Sequence, residues 1–230
     1  MPKRYEEIGS ETDRLIYAAS HATVNGLGRL LVRFRTEDAE YLPKEGRGLV
    51  VFNHLHASDV LFGPSAVPDR HVVAIGRRKF MEMFLVGTIF KKWGALAVDV
   101  GKENPGRDAL RLAVEVMKQP LLEDRLELVF GSPNTRTPGR KPGRMNSGIA
   151  TAALETETDV YPAVIKGSDR LSDRQVTVMF SSSVGHPETF KERREFCKYV
   201  QEIQTEMFDS IPHPFNYLPA DRSIHDNVES

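Results

Sequence analysis

The 230-residue sequence has few of the features that define several protein classes. Its one cysteine, Cys197, excludes an intramolecular disulfide and a zinc site built from cysteines, and it fits the reducing cytosol. No stretch reaches the about 18 consecutive apolar residues that span a bilayer. Residues 1–9 are charged and lack the apolar centre of a signal peptide, so we expect none.

Common catalytic signatures are also missing. There is no Walker A loop and no Gly-x-Gly-x-x-Gly fingerprint, which argues against nucleotide hydrolysis and dinucleotide redox chemistry. No serine lies in a Gly-x-Ser-x-Gly elbow, which argues against a serine hydrolase. Cys197 lies in a charged segment, residues 191–207, that is typical of a helix, and we interpret it as structural.

The formal net charge of -1 conceals an uneven distribution. Residues 76–145 carry 14 Lys and Arg against 8 Asp and Glu, whereas the rest of the chain carries 17 against 24. A near-neutral total gives no general attraction to polyanions, so we predict no nucleic-acid partner. The basic middle of the chain still permits a local site for an anion.

Short apolar runs rich in β-branched residues alternate with helix-like segments. The runs lie at residues 49–52, 71–75, 95–99, 126–130, 160–165 and 176–180, and the clearest helical segments at 107–118 and 147–155. This alternation predicts an α/β fold, with a mainly parallel central sheet flanked by helices and preceded by an amphipathic helix. We divide the chain into an N-terminal amphipathic helical segment (1–37), an α/β domain (38–211) and a C-terminal tail (212–230).

Two apolar segments suit either a protein core or a lipid surface. Residues 15–34 have apolar side chains at helical spacing, interrupted by arginines and His21. Residues 80–90, FMEMFLVGTIF, are more strongly apolar and have basic residues on both sides. Each segment is compatible with a helix packed on the core and with a helix lying among lipid headgroups.

His54 and Asp59 are the sharpest candidate pair for chemistry. They follow a predicted strand, where ligands bind in parallel α/β sheets. On a regular helix this spacing points the two side chains to different sides, so they meet only if the chain turns between them. An imidazole bonded to a carboxylate is a suitable general base for a hydroxyl. The alternative for this spacing alone is a capping Asp59 and an unrelated surface His54.

His56 suggests a competing metal site with His54 and Asp59. The usual metallo-hydrolase spacing is His-x-His-x-Asp-His, and here Asp59 comes one place late and Val60 replaces the next His. The other histidines are scattered along the chain. We therefore predict no metal and keep a metallo-hydrolase as a distant alternative.

A basic loop, residues 131–144, follows another predicted strand. It contains four cations and no acidic residue: Arg136, Arg140, Lys141 and Arg144. Guanidinium groups and backbone N–H groups bind phosphate, although a solvated basic loop has the same composition.

Taken in order, these segments resemble four motif blocks of the glycerolipid acyltransferase family, whose best-known members acylate lysophosphatidic acid. The first block, Asn-His-x-Ser-x-x-Asp, is present as Asn53-His54-Leu55-His56-Ala57-Ser58-Asp59. The other three correspond to Gly94-Ala95-Leu96-Ala97-Val98-Asp99, Phe130-Gly131-Ser132-Pro133-Asn134-Thr135-Arg136 and Val160-Tyr161-Pro162-Ala163-Val164-Ile165-Lys166-Gly167. The resemblance spans residues 42–167.

The blocks also depart from the family pattern in three places. His56 replaces the serine of the first block, Val100 replaces the arginine that ends the second, and Pro133 lies nearest the missing glutamate of the third. In the family, the second and third blocks help to bind the phosphate of the acceptor. These departures affect acceptor recognition, while His54 and Asp59 are retained.

The resemblance implies an enzyme of phospholipid biosynthesis that moves a fatty acyl group from a thioester to a hydroxyl of a lysophospholipid-like acceptor. His54 and Asp59 are then the catalytic residues. The expected substrate-binding residues are Arg136, Thr135, Asn134, Lys102, Arg140 and Arg144. We expect no cofactor, since acyl-CoA or acyl-carrier protein serves as co-substrate. A cytoplasmic protein bound peripherally to the inner face of the membrane is expected. The alternatives are a degenerate lipid-binding relative without catalysis and an acyltransferase with a non-phosphate acceptor.

Overall fold

Among the residues that the structure describes, seven strands form one central sheet. The computed structural model describes residues 11–67, 71–77, 82, 87–88, 95–98, 105–118, 127–131, 136–143 and 145–219. The strands are β1 (Arg35–Glu37), β2 (Arg47–Phe52), β3 (His71–Arg77), β4 (Leu96–Val98), β5 (Glu127–Gly131), β6 (Val160–Lys166) and β7 (Thr177–Phe180). Their order across the sheet is β1-β7-β6-β2-β5-β3-β4.

The sheet is mainly parallel, as the sequence predicted. β2 lies between β5 and β6 and is parallel to both, and β3 and β4 continue the same direction. β7 runs antiparallel to β6, and β1 is parallel to β7 at the edge of the sheet. The carboxyl ends of β2, β5 and β6 therefore lie at one edge of the sheet, where a site is expected.

Helices cover both faces of this sheet. They are α1 (Glu11–Val32), α2 (Asp59–Ser65), α3 (Pro105–Met117), α4 (Gly148–Thr156) and α5 (Arg193–Ser210). Alternate residues of β2 divide between two cores because successive strand side chains point in opposite directions. Leu49 and Val51 pack with side chains of α3, α4 and α5, whereas Val50 and Phe52 pack with those of α2.

α1 is attached to α2 by polar contacts. His21 Nε2 lies 3.0 Å from the carbonyl oxygen of Pro64, and Asn25 Nδ2 donates to the carbonyl of Ser65 at 2.6 Å. These carbonyls lie in the last turn of α2, where a helix has no internal donors for them. The buried face of α1 therefore uses hydrogen bonds, and His21 is only 3% exposed.

The leucines of α1 point away from the protein. Leu15, Leu27, Leu30 and Leu31 are between 52% and 71% exposed. The sequence allowed this segment either to pack on the core or to lie among lipid headgroups. These four side chains do not pack on the core. Within the described residues, no helix is both long enough and apolar enough to cross a membrane.

The predicted elements are confirmed wherever the structure describes them. All six predicted strands are present, and the predicted helices correspond to α1, α3, α4 and α5. β1 and the short helix α2 were not predicted. The apolar segment 80–90 lies outside the described residues, apart from Glu82, Gly87 and Thr88.

Gly167, directly after β6, is a position where only glycine fits. Its φ of +89° is left-handed, and an added Cβ would lie 2.0 Å from the carbonyl oxygen of Gln175. We expect Gly167→Ala to lower the free energy of unfolding by at least about 3 kcal/mol, measured by urea denaturation. Gly185 is the matched control, because its φ is +77° but nothing lies within 4 Å of an added Cβ. Gly185→Ala should cost only about 1 kcal/mol. Equal losses for the two variants would contradict the steric explanation.

Candidate functional site

Three chain segments meet at the carboxyl edge of the sheet. They are residues 53–59 after β2, residues 136–143 after β5 (the 136–143 loop), and residues 167–169 after β6. Backbone and side-chain hydrogen bonds join them directly. Thr137 N–H donates to the carbonyl of His54 at 2.8 Å, and Ser58 Oγ donates to the carbonyl of Ser168 at 3.2 Å. The convergence expected from parallel strands is therefore observed for these segments.

His54 and Asp59 are in direct contact. His54 Nδ1 lies 2.7 Å from Asp59 Oδ2, and the two side chains are 17% and 7% exposed. The contact forms because β2 ends at Phe52 and α2 begins at Asp59, so the chain turns between the two residues. This contact contradicts the alternative in which His54 is a surface residue unrelated to Asp59. An acceptor at Nδ1 fixes the imidazole with its proton on Nδ1 and leaves Nε2 to accept a proton.

Asp59 also holds the turn that carries His54. The same oxygen, Oδ2, accepts hydrogen bonds from the backbone N–H groups of Leu55 at 2.8 Å and His56 at 2.9 Å. Asp59 is the first residue of α2, where a negative charge is favoured by the helix dipole. One carboxylate oxygen thus fixes both the backbone of the turn and the ring of His54.

Asn53 anchors the start of this turn to the neighbouring strand. Its Nδ2 donates to the carbonyl of Ile165 at 2.9 Å, and its Oδ1 accepts from the N–H of Ile165 at 2.7 Å. The side chain is buried and continues the pairing of β2 with β6 beyond the last backbone pair, Phe52 and Ala163. The backbone directly before His54 is therefore fixed to the sheet.

A buried glutamine of α5 supports the same region from one face. Gln204 Nε2 donates to the carbonyl oxygens of Val51 at 2.7 Å and Ala163 at 3.0 Å, which belong to β2 and β6. A buried carbonyl needs a donor, and an unpaired polar group there is costly. Gln204 links the helix layer to the two strands whose ends build the site.

The side chain of His56 points to Ser58 and makes no hydrogen bond with His54 or Asp59. Its Nδ1 lies 3.0 Å from Ser58 Oγ and 3.3 Å from Ser58 N, and its side chain is exposed. Within the part of the chain that the structure describes, no three His, Cys, Asp or Glu side chains are grouped so as to hold a metal ion.

The predicted substrate-binding residues are only partly described. Arg136 is exposed, and its neighbour Thr137 is bonded to the backbone of His54. Arg140 Nη1 donates to the carbonyl of Pro219 at 3.1 Å, so this guanidinium contacts the C-terminal segment. The remaining predicted residues, Lys102, Asn134, Thr135 and Arg144, lie outside the described residues.

A buried cation at the end of β6 has a structural role. Lys166 Nζ donates to the carbonyl oxygens of Phe208 at 2.6 Å and Ile211 at 2.7 Å, at the carboxyl end of α5. The ammonium also lies 4.6 Å from the centre of the Phe208 ring. Burial lowers the pKa of Lys166, partly offset by Asp209. Lys166 neutralises a helix end, a position that favours a positive charge.

Several residues that build the site were not assigned a role from sequence. Asn53 belongs to the first motif block, but its partner, Ile165, lies more than 100 positions away in the sequence. Thr137 and Gln204 carry no signal in the sequence, since an isolated threonine or glutamine has no distinctive spacing. Their partners are backbone carbonyls, which every residue possesses.

An α/β sheet with an oriented histidine at its carboxyl edge is an arrangement that can support general-base chemistry. Within that class, the model of the Acyltransferase family matches residues 33–166, more than half of the chain. The match begins directly after α1 and ends with the last residue of β6. The chain belongs to this family and is an acyltransferase. This confirms the family resemblance drawn from the motif blocks.

The fold is also similar to a solved structure. It is the crystal structure of the 1-acyl-sn-glycerophosphate (LPA) acyltransferase PlsC from Thermotoga maritima, with a TM-score of 0.68 and 18% sequence identity. The alignment covers 92% of this chain and 84% of that chain. At this identity the likeness establishes the fold. Among curated protein sequences, none matches this chain.

Proposed function

We propose that this acyltransferase moves a fatty acyl group from a thioester, acyl-CoA or acyl-carrier protein, to a hydroxyl of a lysophospholipid-like acceptor. The observation that carries the proposal is the 2.7 Å contact between His54 Nδ1 and Asp59 Oδ2 in a chain of the acyltransferase family. The similar structure from Thermotoga maritima is that of a protein named as an LPA acyltransferase, which supports an acceptor of this class.

The proposed reaction is a direct transfer with His54 as the general base. His54 Nε2 takes the proton of the acceptor hydroxyl while the hydroxyl oxygen attacks the thioester carbonyl carbon. The tetrahedral intermediate then expels the thiolate, which receives the proton from His54 and leaves as the free thiol. Asp59 stabilises the imidazolium during this step. The thioester supplies the activated acyl group, so no covalent enzyme intermediate is required.

An anionic headgroup is the proposed feature of the acceptor. Arg136 is exposed, and the bond from Thr137 to the carbonyl of His54 keeps the backbone beside Arg136 close to the base. A guanidinium binds a phosphate through two parallel hydrogen bonds. Asn134, Thr135, Lys102, Arg140 and Arg144 are proposed as further substrate-binding residues.

We also propose that α1 attaches the enzyme to the inner, cytoplasmic face of the membrane. Four leucines of α1 are more than half exposed, while the polar side chains of His21 and Asn25 face α2. This is the reverse of a helix that packs its apolar side on a core. A helix with an outward apolar face binds the boundary between headgroups and acyl chains, where both proposed substrates partition.

Replacing the base tests the catalytic part of this proposal. Thiol release from acyl-CoA is measured with lysophosphatidate, a lysophospholipid with a larger headgroup and a neutral monoacylglycerol as acceptors. We expect His54→Ala to lower the rate by about 10²–10⁴-fold, the usual contribution of a general base. His56→Ala should keep most of the activity, because the imidazole of His56 contacts Ser58, and its bond to Asp59 comes from the backbone N–H, which alanine retains.

The same assay shows which part of the proposal fails. Equal turnover by wild type and His54→Ala would contradict the assigned base. Loss of activity in both histidine variants, restored by a divalent metal, would favour the metallo-hydrolase. Fastest transfer to the neutral acceptor would contradict the anionic headgroup and favour a non-phosphate acceptor.

Charging the outward face of α1 tests the membrane proposal. We expect Leu27→Glu/Leu30→Glu to lower binding to phosphatidylglycerol-containing vesicles at least about ten-fold in a sedimentation assay, because a buried leucine contributes about 1.5–3 kcal/mol. Tyr199→Glu is the control, since Tyr199 is 43% exposed and lies on α5, which packs on the other face of the sheet. Equal vesicle binding by both variants would contradict a role for α1.

A further inference from the structure

The 136–143 loop, which contacts His54 through Thr137, also contacts the C-terminal segment, residues 217–219. Leu218 N–H donates to the carbonyl of Gly139 at 2.9 Å, and Lys141 N–H donates to the carbonyl of Leu218 at 2.8 Å. This pairing forms a bridge between Arg140 and Leu218. The mechanism described above uses none of these contacts.

Asp169 joins this loop to the C-terminal segment through its carboxylate. Its Oδ2 accepts the N–H of Gly139 at 2.6 Å, and its Oδ1 accepts the hydroxyl of Tyr217 at 2.8 Å. Gly139 has a φ of +69°, so the loop turns sharply at the residue that Asp169 holds. A carboxylate with one donor on each oxygen fixes the distance between the two segments that supply those donors.

Tyr217 is itself fixed in place. Its hydroxyl oxygen accepts the N–H of Gly167 at 3.1 Å, and its ring packs edge-on against Phe208 and Phe215. Burial, together with the bond to Asp169, raises the pKa of Tyr217 well above its usual range. The phenol therefore keeps its proton at pH values at which an ordinary tyrosine ionises, and it remains a donor to Asp169 there.

Together these contacts form a closed series of hydrogen bonds among the three segments at the carboxyl edge of the sheet. Asp169 follows Ser168, whose carbonyl accepts the hydroxyl of Ser58, the residue before Asp59. The loop in turn bonds to His54 through Thr137. Each of the three segments is thus tied to the other two, and Asp169 provides the link between residues 167–169 and the 136–143 loop.

We infer that Asp169 and Tyr217 are positioning residues that hold the 136–143 loop, and Arg136 with it, at a fixed distance from His54. They thereby set where the anionic end of the acceptor binds. This inference rests on the proposed function. It adds that acceptor affinity depends on the C-terminal segment, which lies outside the part of the chain that matches the family model.

Tyr217→Phe is the sharpest test, because it removes one hydroxyl and keeps the packed ring. We expect the KM for lysophosphatidate to rise about three- to ten-fold, the equivalent of losing the hydrogen bond to Asp169, with kcat and the KM for acyl-CoA little changed. Hydrogen exchange of the loop amides should become faster in the same variant. Tyr199→Phe, on α5, is the matched control and should match wild type in every measurement. Asp169→Asn should change the KM for lysophosphatidate in the same direction.

A structural role alone gives a different result. If Tyr217→Phe lowers kcat for lysophosphatidate and for a neutral acceptor to the same extent, or leaves the KM for lysophosphatidate unchanged, the inference is wrong and the proposed function stands. Unchanged hydrogen exchange of the loop amides in both Tyr217→Phe and Asp169→Asn would also overturn the inference. A wild-type enzyme that acylates no acceptor would instead contradict the proposed function, and the inference would fall with it.

Discussion

The arrangement of the site depends on one carboxylate oxygen, Asp59 Oδ2. It accepts the N–H groups of Leu55 and His56 and contacts His54 Nδ1, so it determines both the path of the backbone and the orientation of the imidazole. Such a concentration of donors around one buried oxygen compensates that oxygen for the loss of water. Without Asp59, the turn between β2 and α2 would lose the group that holds His54 in place.

The rest of the fold brings other segments to this turn. Asn53 and Gln204 fix the ends of β2 and β6, and Thr137 attaches the loop after β5. These contacts join positions far apart in the chain, and a parallel sheet makes them possible because its strand ends share one edge. The candidate site is thus built by the strand ends of the sheet. The exposed leucines of α1 form a separate apolar face.

Much of the fold follows from local patterns. The six predicted strands are apolar runs, and α3 and α4 fall where helical spacing predicts them. β1 escaped prediction because it is a three-residue edge strand, Arg-Thr-Glu, without an apolar alternation. α2 has Gly63 and Pro64 in its seven residues and forms through packing of Phe62, which overrides weak helix propensity. The meeting of His54 with Asp59 was predicted only on condition of a turn between them. The roles of Asn53, Thr137 and Gln204 depend on tertiary contacts that no local pattern encodes.

In the proposed mechanism, Asp59 keeps the proton of the neutral His54 ring on Nδ1 and leaves Nε2 as the base. The most direct measurement is the ¹⁵N NMR spectrum of the imidazole nitrogens, with His54 assigned by comparison with His54→Ala. At a pH at which the ring is neutral, we predict a protonated Nδ1 and an unprotonated Nε2. A neutral His54 with its proton on Nε2 would contradict this mechanism, because Nε2 would then have no lone pair with which to accept the proton of the acceptor hydroxyl.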